Sequence, residues 1–211
     1  GNNHQMLRVD DEDLHALSEE DEQKLGHWVM NRLRNFDVVI FEDYDKGVLN
    51  ENLIQAIIEG AKRVGIPTVV DPKKKNFLAY KGASLFKPNL KEIKEGLKLD
   101  QPLNDQYSVE RAVQSLQEIL GAERIMVTLS ERGVMITDFE SWEHLPAHVR
   151  NISDVSGAGD TVVSVAALCL AQKAPLRDIA FLANLAGGLV CEKVGVVPIE
   201  KTKLLEEAIK L

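Results

Sequence analysis

"FDVVIF", residues 36–41, and "PTVVD", residues 67–71, are short, largely unbroken apolar runs, the pattern of strands covered on both faces. Between them Asn50 caps a helical repeat that places Leu53, Ile54, Ile57, Ile58 and Ala61 on one face, and Gly65 ends it. Strand, amphipathic helix and strand make a βαβ unit with parallel strands. The unit recurs downstream as "SLFK" (84–87), a short helix after Asn89, and a helix from Ser108 to Leu120 with Val109, Ala112, Val113, Leu116 and Ile119 inward. "RIMVTL" (124–129) and "GVMITD" (133–138) then read as two strands joined by the turn "SERG". Upstream, residues 5–9 read as a strand, and Ser18 with Asp21 has the spacing of a helix cap ahead of Leu25, Trp28, Val29 and Leu33. Helices are expected near 158–172, 176–193 and 202–210. The sequence therefore predicts an α/β fold, a doubly wound, mostly parallel sheet with helices on both faces. Without repeats or a Pro/Gly/Ser-rich linker, residues 1–211 read as one domain.

Bulk composition narrows the function. The chain is 45% apolar and 27% charged, with no apolar run near the ~20 residues of a membrane span, so a soluble protein without a membrane partner is expected. A net charge of −8 argues against a nucleic-acid partner, because phosphate-backbone binders carry a basic face. The amino-terminal residues have neither a basic region nor an apolar core of the signal-peptide kind. Cys169 and Cys191 lie in apolar helical segments without CxxC spacing, which fits reduced thiols and a cytoplasmic location. His144 and His148 are separated by Pro146, so no helical His pair for a metal is expected.

In open α/β sheets, ligands gather beyond the carboxyl ends of the strands, which directs attention to the loops. Gly157, Ala158 and Gly159, within "NISDVSGAGDTVVS" (151–164), leave amides uncovered at a helix start, where several N–H groups and the helix dipole converge on an anion. Asp160 follows at once. A carboxylate beside a bound phosphate is repelled unless it serves to take a proton from an attacking hydroxyl, so the pair reads as phosphoryl transfer, or else as a plain helix cap. GxGxxG fails because Val162 occupies the third glycine position, and no Gly-Lys-Ser/Thr ending marks a P-loop. In "KPNLKE" (87–92), Asn89 and Glu92 have capping-box spacing. In "TLSERG" (128–133), a tight turn accounts for Gly133 without a ligand. Asp43 and Lys46, just past a strand end, could grip a sugar hydroxyl and a phosphate, or belong to a solvated loop.

These motifs together resemble the PfkB (ribokinase-like) carbohydrate kinases. "DVSGAGD", Asp154 to Asp160, matches the family core Asp-x-x-Gly-Ala-Gly-Asp. The resemblance implies that Asp160 is the catalytic base and that Gly157, Ala158 and Gly159 hold the transferring phosphate. Asp154 matches an aspartate that helps bind a monovalent cation in some relatives. It further implies ATP and Mg²⁺ as cofactors, with Asn89, Leu90, Lys91 and Glu92 beside the nucleotide phosphates and Glu92 near magnesium through water. A single carboxylate is adequate there, since Mg²⁺ keeps most of its waters. Thr128, Ser130, Glu131 and Gly133 match the nucleotide loop, with Ser130 replacing the usual first glycine. Asn184 matches a position that approaches the base, although a polar helix residue can equally face solvent.

"EDYDKG" (42–47), "DPK" (71–73), "FLANLAGGLV" (181–190) and "NNHQMLRVD" (2–10) are similar to the heptose 7-phosphate kinase domains of the ADP-heptose synthases, a branch serving lipopolysaccharide precursor synthesis. Within that pattern Asp43 and Lys46 are substrate contacts, Glu42 replaces a usual serine, and Val196 stands where threonine is common. Residue 1 begins partway through the pattern, so the lid portion and its homodimer contact are expected outside this chain. The nucleotidyltransferase activity fused to some heptose enzymes is not expected of this chain. The expected function is transfer of the ATP γ-phosphate to a sugar-phosphate hydroxyl. Alternatives are a kinase for another sugar or a nucleoside, and a non-catalytic nucleotide-binding or structural fragment.

Overall fold

The computed structural model describes residues 7, 9, 11–147 and 152–210. Ser18 accepts from the Asp21 amide and starts α1 (Glu19–Met30); after it Leu33 is buried in a separate 3-10 turn. The chain continues through β1 (Val39–Glu42), α2 (Glu51–Val64), β2 (Thr68–Asp71), β3 (Leu85–Phe86), α3 (Leu90–Gly96), α4 (Gln106–Leu120), β4 (Ile125–Thr128), β5 (Val134–Thr137), β6 (Trp142–Leu145), α5 (Ala158–Ala171), α6 (Leu176–Val190) and α7 (Lys201–Lys210). Asn50 and Asp105 cap α2 and α4, and left-handed Gly65 and Gly121 end them.

The six strands lie in sequence order in one sheet. β1 to β4 pair in parallel, while β5 and β6 add antiparallel at the far edge. The sheet is thus mixed and mostly parallel, with helices on both faces. One face carries α2 and α4 over Phe41, Val70, Phe86, Ile125 and Val127; the other carries α5 and α6 over Val69, Leu85, Met126, Val134 and Ile136. Because successive strand side chains alternate, neighbouring residues serve opposite cores.

Several local expectations differ from the structure. Of the strand expected at 5–9, residues 5, 6 and 8 lie outside the described residues, and Leu7 and Val9 are exposed and in no strand. Trp28, expected on the apolar face of α1, is exposed and lies under the Arg32 guanidinium at 4.6 Å. Ile119, expected inward, faces solvent, while Gln117 is buried and donates to the carbonyls of Ala122 and Glu123. The "SERG" turn is a 3-10 turn, Ser130–Arg132, and β6 is an additional strand. His148 lies outside the described residues, and His144 sits on β6 with Nε2 3.1 Å from the Arg132 carbonyl.

Candidate active site

The parity that fills the two cores also builds the site. Val69 and Leu85 point to the α5 side, so Asp71 and Lys87, two residues further along each strand path, point there too. Glu42 is directly opposite Asp71 in the β1–β2 register and shares its face. Three neighbouring strands therefore present Glu42, Asp71 and Lys87 at their carboxyl ends, where the first turn of α5 brings Asp160. Glu42, Asp71 and Asp160 each place a carboxylate oxygen within 4.8 Å of the others. Lys87, 3% exposed, sets its ammonium 2.7 Å from Asp71 Oδ1. Lys73 Nζ bridges from Asp71 (3.8 Å) to Glu92 (3.6 Å). Opposite charges inside the sheet end thereby offset the cost of burying Asp71 and Lys87.

At the start of α5, Gly157 adopts φ 76°, a left-handed conformation that favours glycine. The Ala158 amide donates to the Val155 carbonyl at 3.2 Å, so it is not one of the open donors. The amides of Gly159 and Asp160 have no acceptor among the described residues. Gly159 also gives close access: a Cβ there would stand 4.0 Å from Lys87 Nζ. Open amides, a helix dipole and a buried ammonium thus meet at one point, an arrangement suited to a phosphate. Asp160 is exposed, and the Tyr44 hydroxyl lies 3.4 Å from its Oδ2. Burial, followed by the Asp71 and Asp160 charges, pushes the Glu42 carboxyl up to about 8. Burial and the Asp160 charge also raise the Tyr44 phenol.

The residues expected beside the nucleotide fall into three groups. Asn89 and Glu92 form a complete capping box at α3, Asn89 Oδ1 accepting from the Glu92 amide at 2.9 Å and Glu92 Oε2 from the Asn89 amide at 2.8 Å. With one Glu92 oxygen in the cap and the other facing Lys73, the donor chemistry fits Mg²⁺ held through water. Leu90 and Lys91 open the same helix, and Asn89 bridges to Thr128, so the loops of residues 87–92 and 128–133 are adjacent. Ser130 has φ 54°, a left-handed backbone that explains why glycine suits this position in the resembling pattern. Ser130 and Glu131 are exposed; Gly133 is buried at φ 90°, where a Cβ would meet the Leu145 carbonyl oxygen at 2.0 Å. Asn184 donates to the Pro146 carbonyl at 2.9 Å and so braces α6 against the chain after β6.

Asp43 requires a correction. It has the opposite parity to Glu42, is 2% exposed, and accepts from Tyr80 Oη (2.7 Å), Asn76 Nδ2 (3.1 Å) and the Asp45 amide (2.8 Å). It braces the loop from inside and is not open to a sugar. Lys46 is bonded to the Glu12 carboxylate. Asp154 accepts from the Ser156 amide and hydroxyl on Oδ1 and from the Gly195 amide on Oδ2; the Ser156 amide chiefly holds its carboxyl below the usual range. The sequence reading missed Lys87 and Asp71 as site residues and noted Glu42 only as a departure. The motifs "KPN" and "DPK" marked their positions, but only the strand register brings them together.

The fold is an α/β architecture of the ribokinase kind. The model of the pfkB family of carbohydrate kinases matches residues 7–203, and the chain belongs to that family. It is 40% identical over 205 residues to "Bifunctional protein HldE" of Desulfatibacillum aliphaticivorans, covering 97% of this chain and 42% of that protein. The chain thus spans less than half the length of that curated relative. Among solved structures it is similar to phosphofructokinase-2 from Escherichia coli in complex with potassium, at TM-score 0.78 and 21% identity, covering 90% of this chain and 62% of the other. Ribokinase of Arabidopsis thaliana complexed with ribose and ATP gives TM-score 0.74 and 17% identity, covering 93% and 61% respectively. No helix among the described residues is long and apolar enough to cross a membrane.

Proposed function

We propose that this protein is an ATP-dependent sugar kinase that phosphorylates the anomeric hydroxyl of D-glycero-D-manno-heptose 7-phosphate in the cytoplasm, as a step towards lipopolysaccharide precursors. Family membership supports the kinase class, and the motifs shared with the heptose 7-phosphate kinases support the sugar. The observation that carries the chemistry is Asp160, exposed in the first turn of α5 beside two open amides and the buried Lys87 ammonium. Asp160 accepts the proton of the sugar hydroxyl as its oxygen bonds to the γ-phosphorus; the bond from that phosphorus to the β–γ bridging oxygen breaks, and ADP leaves with the electron pair. The Gly159 and Asp160 amides and Lys87 offset the charge that develops on the transferring group. Mg²⁺, when bound, screens the nucleotide phosphates, and Glu92 would hold it through water.

Thr128, Ser130, Glu131 and Gly133 shape the nucleotide loop, and Asn184 borders it in this reading. Lys46 would meet the sugar phosphate only after leaving Glu12. Asp154 would supply a carboxylate to a monovalent cation near Gly195. A homodimer of the complete protein completes the reading. It is tested by incubating the protein with ATP, Mg²⁺ and heptose 7-phosphate, fructose 6-phosphate or ribose, and following ADP release. Turnover greatest with the heptose phosphate is expected; turnover only with another acceptor would replace the sugar, and none with any acceptor, even by the complete gene product, would reject the kinase.

A further inference from the structure

Four charged groups meet at the strand ends, and the kinase reading uses only Lys87 and Asp160. The charge balance around the remaining pair is informative. Lys87 is paired with Asp71 at 2.7 Å, and Lys73 is shared between Asp71 and Glu92. Asp160 lies on the N-terminal turn of α5, whose dipole favours its negative charge. Each of these charges has a counterpart. Glu42 has no ion pair among the described residues: the groups around it are Asp71 and Lys73 from the β2 end, Lys87 after β3, Asp160 on α5 and Tyr44 on its own loop, and the attraction of Lys87 is outweighed by burial and by the Asp71 and Asp160 charges. Both ammonium groups are already engaged with other carboxylates. A third carboxylate charge within 4.8 Å of two others would be unmatched in a half-buried setting.

We propose that Glu42 serves as a positioning residue in its neutral, proton-bearing form, donating a hydrogen bond to Asp71, fixing the Asp71–Lys87 pair, and leaving Asp160 free to act as base. The inference rests on the kinase reading for its consequence, though its geometry stands independently of turnover. The strand register sets it up, since Glu42 and Asp71 are Cα partners with side chains on the same face. Burial and the Asp71 and Asp160 charges act in the same sense, keeping the proton on Glu42 at neutral pH. When that proton leaves, a third negative charge stands beside the anion-binding amides, where it opposes both nucleotide phosphates and the charge developing in transfer. Glu42 would thereby set the upper pH limit of the reaction.

Two measurements test this. In the first, wild-type protein labelled with ¹³C at glutamate side-chain carboxyls is titrated by NMR. One resonance is expected to move with a midpoint near 8 and to be missing from Glu42→Gln; all glutamates titrating in the ordinary carboxylate range would overturn the proposal. This readout needs no turnover, and a native circular dichroism spectrum of Glu42→Gln shows that the control is folded. In the second, the ratio of kcat at pH 9 to kcat at pH 7 is compared between wild type and Glu42→Gln, whose amide cannot ionise. The ratio is expected to rise by roughly fivefold or more in the variant, because titration near 8 leaves only about a tenth of wild-type sites protonated at pH 9. An unchanged ratio would overturn the role in the reaction. Absence of turnover by the wild type would count against the kinase reading alone, and the NMR titration would still decide the state of Glu42.

Discussion

Replacing Lys87 with methionine removes the ammonium and keeps most of the side-chain volume. The partner left behind is Asp71, 5% exposed, whose Oδ1 lies 2.7 Å from Lys87 Nζ. At an effective dielectric constant of about 20, that separation corresponds to roughly 6 kcal/mol of gross attraction. Much of this only offsets desolvation of the two ions, so the measurable quantity is the loss on breaking the pair, about 3–5 kcal/mol for a buried carboxylate left unmatched. Lys73, 3.8 Å from the other Asp71 oxygen, relieves part of the charge and places the expectation at the lower end, about 3 kcal/mol. Urea unfolding at pH 7, followed by circular dichroism, provides the assay. Asp71→Asn combined with Lys87→Met should lose much less than the sum of the single variants, with a coupling energy of about 2 kcal/mol. A Lys87→Met loss below about 1 kcal/mol, additive with Asp71→Asn, would refute the claim that this pair organises the strand ends.

Other perturbations reach neighbouring parts of the account. Tyr80→Phe deletes the hydroxyl that donates to buried Asp43 at 2.7 Å and should lower the unfolding free energy by about 1.5–3 kcal/mol, measured by urea denaturation. Gly133→Ala should cost at least about 2 kcal/mol by the same method, since φ 90° disfavours an L side chain and its Cβ would meet the Leu145 carbonyl oxygen at 2.0 Å. Stability should fall as pH rises from the ordinary glutamate range through about 8, because Glu42 binds its proton more tightly folded than unfolded. After discounting for solvent screening of this half-exposed group, the loss should be about 1–2 kcal/mol; thermal unfolding of Glu42→Gln should show it much reduced across the same window.

The strands that carry the parallel sheet were legible because their apolar runs answer to two cores at once, as Val69 and Val70 do on opposite faces. β6 was not, since Trp142 to Leu145 lies half-exposed at the sheet edge and carries no such run. Trp28 and Ile119 show a second limit: periodicity places a residue on a stripe, but the edge of the covering layer decides whether it is buried. In the site, the glycine-rich start of α5 and the Asn89–Glu92 cap were visible as local chemistry. The Glu42, Asp71, Lys87 and Asp160 group was not, because its members are far apart in sequence and meet only through strand order and register. The choice between Asp43 and Glu42 turns on a single step of the pleat. Asp43 falls on the side of Tyr80, and Glu42 falls on the side of α5.

The assignment of Asp160 as the proton acceptor can be tested by comparing Asp160→Asn with wild type in two quantities, kcat for phosphotransfer and Kd for ATP. Loss of the base should lower kcat by on the order of 10²-fold or more while leaving nucleotide affinity nearly unchanged. A variant that retains near wild-type kcat, or that loses ATP binding in proportion to its activity, would contradict the account.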